Sequence, residues 1–474
     1  MKRFFSWVSY ITIICLFIEL SGSGCANIIP PGGGPRDSIP PRLFSALPRD
    51  SAHNVNTTRI NLTFNEYIDA KDAQTTLIVS PYPKNQPIIE YKLKTINIRL
   101  RDSLEPNTTY TLNFGNSLKD VNEGNAVKNF YYVFSTGSTI DSNTYSGKVF
   151  FAETGKADST LIVVLHKNTD DTAIMKSRPR YYTTLDGKGN FTFRNLPAGT
   201  FAAYVLPQNN YAKKYDDSTL MFAFLDHFVV LGKRAAVDTF YAYEEAKRKA
   251  ATNTAGTPTP PPTKATTNKD DKRLKYATSL ENGRQDLLNH TLQLEFARKL
   301  KSFDPSKIIL TDTNYQPLTG YKVTLDTGNK KIFVQYDWKE DVQLRLLLRK
   351  DAVADSAGTT LTKADTIRFS TKRESEYGSV HIRFTNLDLS KNPVLQLVQN
   401  DVIIESIPVT TPMVNKRLYT PGDYEMRVLF DKNKNGIWDS GNFKKKIQPE
   451  TVLRLTKKLS VKANYDDTQT EIVL

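Results

Sequence analysis

Short runs in which every second residue is apolar recur along this 474-residue chain, and they leave little room for anything but β-structure. In Arg59-Ile60-Asn61-Leu62-Thr63-Phe64 the apolar set is Ile60, Leu62 and Phe64. Successive side chains of a strand point to opposite faces, so such a run buries one face and wets the other. Thr95 to Leu100, Tyr110 to Phe114 and Tyr131 to Thr136 read the same way, and Asn, Asp, Gly and Pro clusters separate them as turns would. Only about four segments have a helical pattern, all of them short. The chain is therefore expected to be all-β. At 39% hydrophobic and 11% aromatic it can bury cores. One core stops growing near 250–300 residues, roughly, so two to four domains are expected.

The strand phrases repeat in order about 230 residues apart. Ile60, Leu62 and Phe64 correspond to Leu292, Leu294 and Phe296; Asp120 with Gly124 to Asp355 with Gly358; Phe134-Ser135-Thr136 to Phe369-Ser370-Thr371. Gly147-Lys148-Val149 then corresponds to Gly378-Ser379-Val380, and Pro197 to Phe201 to the segment Thr420 to Tyr424. An ordered series of this kind points to a duplicated two-domain unit, A-B-A-B. Between the halves, residues 244–275 are rich in Thr, Ala, Pro and Lys and contain no aromatic residue. Such a composition buries too little apolar surface to order itself and is expected to be a linker.

Lys2 and Arg3 precede an apolar run from Phe4 to Ile18, and Ser21-Gly22-Ser23-Gly24 lead to Cys25. The run is shorter than the ~20 apolar residues a finished membrane span needs. It has the plan of an export signal over residues 1–24. The segment resembles a bacterial lipoprotein signal, and the resemblance implies that Cys25 is lipidated and becomes the first residue of the mature chain. Ala26 after the cysteine then implies sorting to the outer membrane. Residues 25–38, with Gly32-Gly33-Gly34 and several prolines, read as a tether.

Residues 39–137 (A1) resemble the bacterial Ig-like domains of the SbsA type found in envelope proteins. The residues that carry the likeness are Pro40-Pro41, the strand Ile60 to Phe64 with Asn65-Glu66-Tyr67, the phrase from Leu104 to Gly115, and Asp120 to Asn125. Residues 284–372 (A2) keep the strands without the Pro106 to Tyr110 phrase. Tyr110 stands where Ig-like sandwiches often place a buried corner tyrosine. Residues 143–243 (B1) and 374–474 (B2) resemble small transthyretin-like or carboxypeptidase-regulatory-like sandwiches, carried in B1 by Asp186-Gly187-Lys188-Gly189-Asn190 and Leu196 to Phe201. The disordered linker is placed at 244–283. The expected architecture is thus all-β, with tandem Ig-like and transthyretin-like β-sandwiches arranged A-B-A-B.

The two cysteines, Cys15 and Cys25, lie in the first 25 residues, which excludes thiolate metal sites and cysteine nucleophiles downstream. There is no G-x-S-x-G, HExxH, GKS/GKT phosphate loop or G-x-G-x-x-G after a strand. The acidic pairs Asp170-Asp171, Asp216-Asp217 and Asp466-Asp467 fall in loops, where carboxylates are usually solvated. No catalytic role is expected. Net charge is +14, and Lys416 to Lys462 hold 12 Lys+Arg against 5 acids. That balance suits either a solvated face or contact with anionic headgroups or envelope glycans. Nucleic acid is not an expected partner, since no recognised module or interleaved exposed aromatics accompany the charge.

One local pattern carries metal chemistry. Asp431, Asn433, Asn435 and Asp439 place oxygens at positions 1, 3, 5 and 9, and Gly436 stands at position 6, as in calcium loops. Position 12 is Asn442 in place of the bidentate glutamate. A weak calcium site and an Asx-rich hairpin turn both fit this pattern. The functional expectation is a non-enzymatic envelope lipoprotein, anchored to the membrane through lipid, acting as a structural or binding module with an envelope protein or glycan as partner. A glycan-binding accessory protein is the alternative, and a masked hydrolase a weaker one.

Overall fold

The computed structural model describes residues 36–232, 236–246, 274–465 and 470–474, and the chain divides after Ser142 into two compact units. Strands such as Arg59–Phe64, Thr95–Arg99 and Thr291–Phe296 are the alternating phrases, buried at every second residue. No helix among the described residues exceeds four residues, the two α-helices being Ala73–Thr76 and Ala173–Lys176. The chain is all-β, a series of β-sandwiches.

The first unit is one sandwich. Leu43–Leu47, Arg59–Phe64, Thr95–Arg99 and Ile88–Lys92 form one sheet in that spatial order, and Ile78–Ser80, Thr109–Gly115 and Phe130–Ser135 form the other. Ile60, Leu62 and Phe64 meet Ile96, Ile98, Leu112 and Phe134 between the sheets. Fully burying a side chain of this size contributes about 1.5–3 kcal/mol. Tyr110 closes the corner: its hydroxyl accepts the Glu105 N–H at 2.8 Å, and its ring stacks on Phe134.

The second unit contains three further sandwiches. In residues 276–371 the order Tyr276–Thr278, Thr291–Phe296, Lys331–Gln335, Lys322–Leu325 repeats that of the first sheet above. The repetition extends to single atoms. Thr136 Oγ1 accepts from Thr108 N at 2.9 Å and donates to Glu105 O, while Thr371 Oγ1 accepts from Val342 N at 2.8 Å and donates to Lys339 O. Each FST phrase thus ends on a threonine that ties a neighbouring loop to the strand end. Asp120 and Asp355 likewise each collect backbone N–H groups of the turn that follows them.

The sandwiches at 143–242 and 378–473 also share a plan. Each has a three-stranded sheet whose central strand, Asn143–Phe151 or Gly378–Thr385, pairs in parallel with the last strand, Ala236–Ala242 or Thr470–Val473. Gly147 stands in the middle of Asn143–Phe151 and Gly378 at the start of the equivalent strand Gly378–Thr385, and each is needed for close approach. A Cβ on Gly147 would lie 2.0 Å from Asp238 O, and one on Gly378 would lie 2.3 Å from Lys462 O.

Two corrections to the sequence reading follow. The linker assigned to 244–283 ends earlier: Leu274 is buried, and Tyr276–Thr278 is a strand paired with Thr291–Phe296, its tyrosine ring 5.4 Å from Phe296. That tyrosine supplies the aromatic anchor that the preceding residues lack. At the other end of the same segment, Glu244 and Glu245 bond to Ser440 and Phe443, because the second and fourth sandwiches pack on each other. The signal segment, Cys25, most of the tether and residues 247–273 lie outside the described residues.

Candidate functional site

Two strands show where that packing occurs. Leu161–His166 is buried at all six positions, and Pro393–Gln399 is buried at its first six. A strand of a two-sheet sandwich should alternate; one buried throughout must be covered on both faces. Leu161, Val163 and Leu165 face the core of their own sandwich, while Ile162 and Val164 join Tyr204, Tyr215, Phe222, Phe224 and Tyr243 in a second cluster on the outer face. The residue that completes this outer cluster is Phe443, from the fourth sandwich.

Phe443 is 4% exposed and ringed by aromatics. Its centroid lies 5.0 Å from Phe222, 5.3 Å from Phe224, 5.9 Å from Tyr204 and 6.0 Å from Tyr215, all edge-to-face. Edge-to-face pairs add about 0.5–1.5 kcal/mol each beyond area burial. Lys446 covers the ring from outside, its Nζ 4.2 Å from the Phe443 centroid and 2.5 Å from Asp171. The backbone is fastened too: Phe443 N donates to Glu245 Oε1 at 2.7 Å, and Val452 N to Ala152 O at 3.0 Å. Glycines allow the approach, since a Cβ on Gly441 would lie 2.6 Å from Tyr243 Cζ and one on Gly155 2.6 Å from Val452 O.

The segment that carries Phe443 begins with the calcium-like loop. Asp431 is buried, its Oδ1 accepting from Lys434 N and Asn435 N and its Oδ2 from Gly436 N at 2.7 Å. Asn433 and Asn435 each donate their side-chain amide to Asp439 Oδ2 at 2.7 Å, and their Oδ1 atoms accept from Asn435 N and Ile437 N. Gly436 has φ +80°, the left-handed region in which a Cβ is strained. The four residues named from the sequence are thus brought together, each within a network of Asx hydrogen bonds. Sequence reading missed Glu450, which lies beyond the loop pattern. Its Oε1 accepts from Lys432 N and its Oε2 from Asp439 N, so one buried carboxylate staples both ends of the loop. Trp438 Nε1 donates to Glu450 O at 2.7 Å, which fixes the indole between the two sandwiches. Among the described residues no three His, Cys, Asp or Glu side chains are grouped as a metal set.

The other candidates disperse. Asp170 accepts from Thr172 N, and that bond holds its carboxyl below the usual carboxylate range. Asp171 pairs with Lys446, Asp217 bonds Thr219 N, and Asp466-Asp467 lie outside the described residues. Much of the basic run from Lys416 to Lys462 is paired internally: Lys416 with Glu405, Arg417 with Glu374, Arg427 with Asp401, and Arg454 with Glu425. His166, at the end of its doubly covered strand, is 2% exposed, and burial pushes its imidazole down to about 4.

Residues 37–136 match the family model of a bacterial Ig-like domain. No curated protein matches the chain. Similar solved structures include an L,D-transpeptidase from Mycobacterium smegmatis, at 12% identity over 35% of this chain and 60% of that one, with a TM-score of 0.16. The major pilin subunit BcpA of Bacillus cereus is 9% identical over 70% of this chain and 99% of its own, with a TM-score of 0.17. The N-terminal part of the bacterial S-layer protein SbsC is 16% identical over 42% of this chain and 44% of its own, with a TM-score of 0.16. Likeness at this level says nothing of activity or partners.

Proposed function

We propose that this chain is a bacterial cell-envelope lipoprotein whose sandwiches form a structural surface module, held at the outer membrane by lipid on Cys25. The bacterial Ig-like domain at 37–136 supports an envelope setting. The small residues before Cys25, and Ala26 after it, support the anchor. The shared strand order of the second and fourth sandwiches, each with a parallel last strand, supports their transthyretin-like reading.

The observation that carries the structural role is the seating of Phe443 in the aromatic cluster of another sandwich. A spacer that only separates two ends needs no such contact, whereas one that transmits load or presents a fixed surface must resist bending between its modules. The partner is an envelope protein or glycan met at that fixed surface, and the Asp431 loop is an Asx-rich turn whose oxygens leave a weak calcium site as the second reading. Metabolic labelling with a fatty-acid analogue tests the anchor: the wild type should be labelled and Cys25→Ala should not. Equal labelling of both would remove the lipoprotein reading.

A further inference from the structure

The packing of the second and fourth sandwiches leaves a groove along their junction. A cavity of about 930 Å³ on the second sandwich has Tyr211, Gln208 and Asn209 in its wall. A smaller one, of about 220 Å³, has Trp438 of the fourth sandwich in its wall. Phe151, Met221 and Glu244 line both, so the two cavities meet there.

The chemistry of the walls narrows the ligand. Tyr211 is 90% exposed, an aromatic ring held in water beside a large concavity. Among the described residues, the side chains of Gln208, Asn209 and Glu244 make no hydrogen bond, which leaves two planar amides and a carboxylate open to a ligand. No Lys, Arg or His lines either cavity, while Glu244 and Glu153 do. An anionic ligand would meet like charge without a cation to offset it. Aromatic faces suit the C–H faces of pyranose rings, and amides and carboxylates can each take two hydroxyl hydrogen bonds. Two adjoining cavities, with Tyr211 in the wall of one and Trp438 in the wall of the other, suit a chain of such rings.

We propose that this groove binds a neutral oligosaccharide chain, with Tyr211 and Trp438 stacking on separate sugar rings and Gln208, Asn209 and Glu244 holding their hydroxyls. The Asx-rich loop then has a definite task. Asp431, Asp439 and Glu450 fix the turn that carries Trp438 to the groove. The site is built on the second and fourth sandwiches together and stands whether or not Cys25 carries lipid.

Calorimetric titration of the full chain in detergent tests this, with chitohexaose and maltohexaose as neutral chains, hexagalacturonate as an acidic chain of equal length, and an extended hexapeptide. At least one neutral chain should bind, and hexagalacturonate should bind at least about tenfold more weakly. Tyr211→Ala should weaken binding about tenfold with no change in melting, because the ring is exposed. Trp438→Phe keeps a ring at the junction and should weaken binding less than Tyr211→Ala. Cys25→Ala should bind as the wild type does, which separates this site from the anchor. Failure of both neutral chains at millimolar concentration, wild-type affinity in Tyr211→Ala, or tighter binding of the acidic chain or the peptide would each overturn the proposal.

Discussion

Phe443 of the fourth sandwich stands edge-on to Phe222 of the second, their ring centroids 5.0 Å apart at 68°, although they lie 221 positions apart in the chain. The contact joins two modules that each close a core of their own.

Removing that ring should uncouple them. Phe443→Ala is expected to cost about 3–5 kcal/mol, as for other buried phenylalanines. A protease site inserted between residues 255 and 262 gives a second reading. After cleavage the two fragments of the wild type should co-elute on gel filtration, and those of Phe443→Ala should separate. Separation of the wild-type fragments would show that the cluster contributes little.

The Asp431 loop makes two separable demands. Its carboxylate satisfies three backbone N–H groups, so Asp431→Ala should destabilise the protein by about 1–3 kcal/mol even in chelator. A calcium site with two carboxylates and no twelfth-position glutamate would bind in the range of about 0.1–1 mM. Millimolar calcium should then raise the wild-type melting temperature and leave Asp431→Ala unmoved. Gly436→Val should destabilise with or without the ion, because a β-branched residue resists φ +80°. An unchanged wild-type transition in calcium would leave a hairpin turn alone.

His166 should make stability depend on pH. Burial lowers its pKa from 6.5 to about 4, so the unfolded chain takes up the proton before the folded one. Its contribution is whole above about pH 6.5 and falls as pH drops toward 4, a loss on the order of 3 kcal/mol at most. The His166→Leu variant should lose less stability than the wild type between pH 6.5 and 4.5 in urea titrations. Paired carboxylates contribute equally to both curves, and parallel curves would rule the effect out.

Much of this was legible one residue at a time. Ile60, Leu62 and Phe64 had to share a buried face, because the side-chain period of a strand is two. Tyr110 was marked as a corner by the phrase around it, and its bond to Glu105 N follows from that turn. The glycines at 147 and 378 stood out as a repeated phrase read as strand openers, although Gly147 lies mid-strand and only the carbonyls that a Cβ would meet at 2.0 and 2.3 Å say why both are glycine. The Asx turn at Asp431 was legible because its hydrogen bonds join residues within a few positions. Glu450 was not, since the strand it leads had first to come back beside the loop.

By itself, the sequence determined the strands, their inward faces, the turns and the order in which the sandwiches repeat, all of which follow from local periodicity and backbone preference. Tertiary structure alone decided that Leu161–His166 and Pro393–Gln399 would be covered on both faces, that Phe443 and Lys446 would leave a basic surface run to join an aromatic cluster, and that Trp438 would sit at a junction groove. The physical reason is the same in each case. A contact between distant segments depends on which outer face finds which, and alternation within one strand carries no information about its partner in another sandwich.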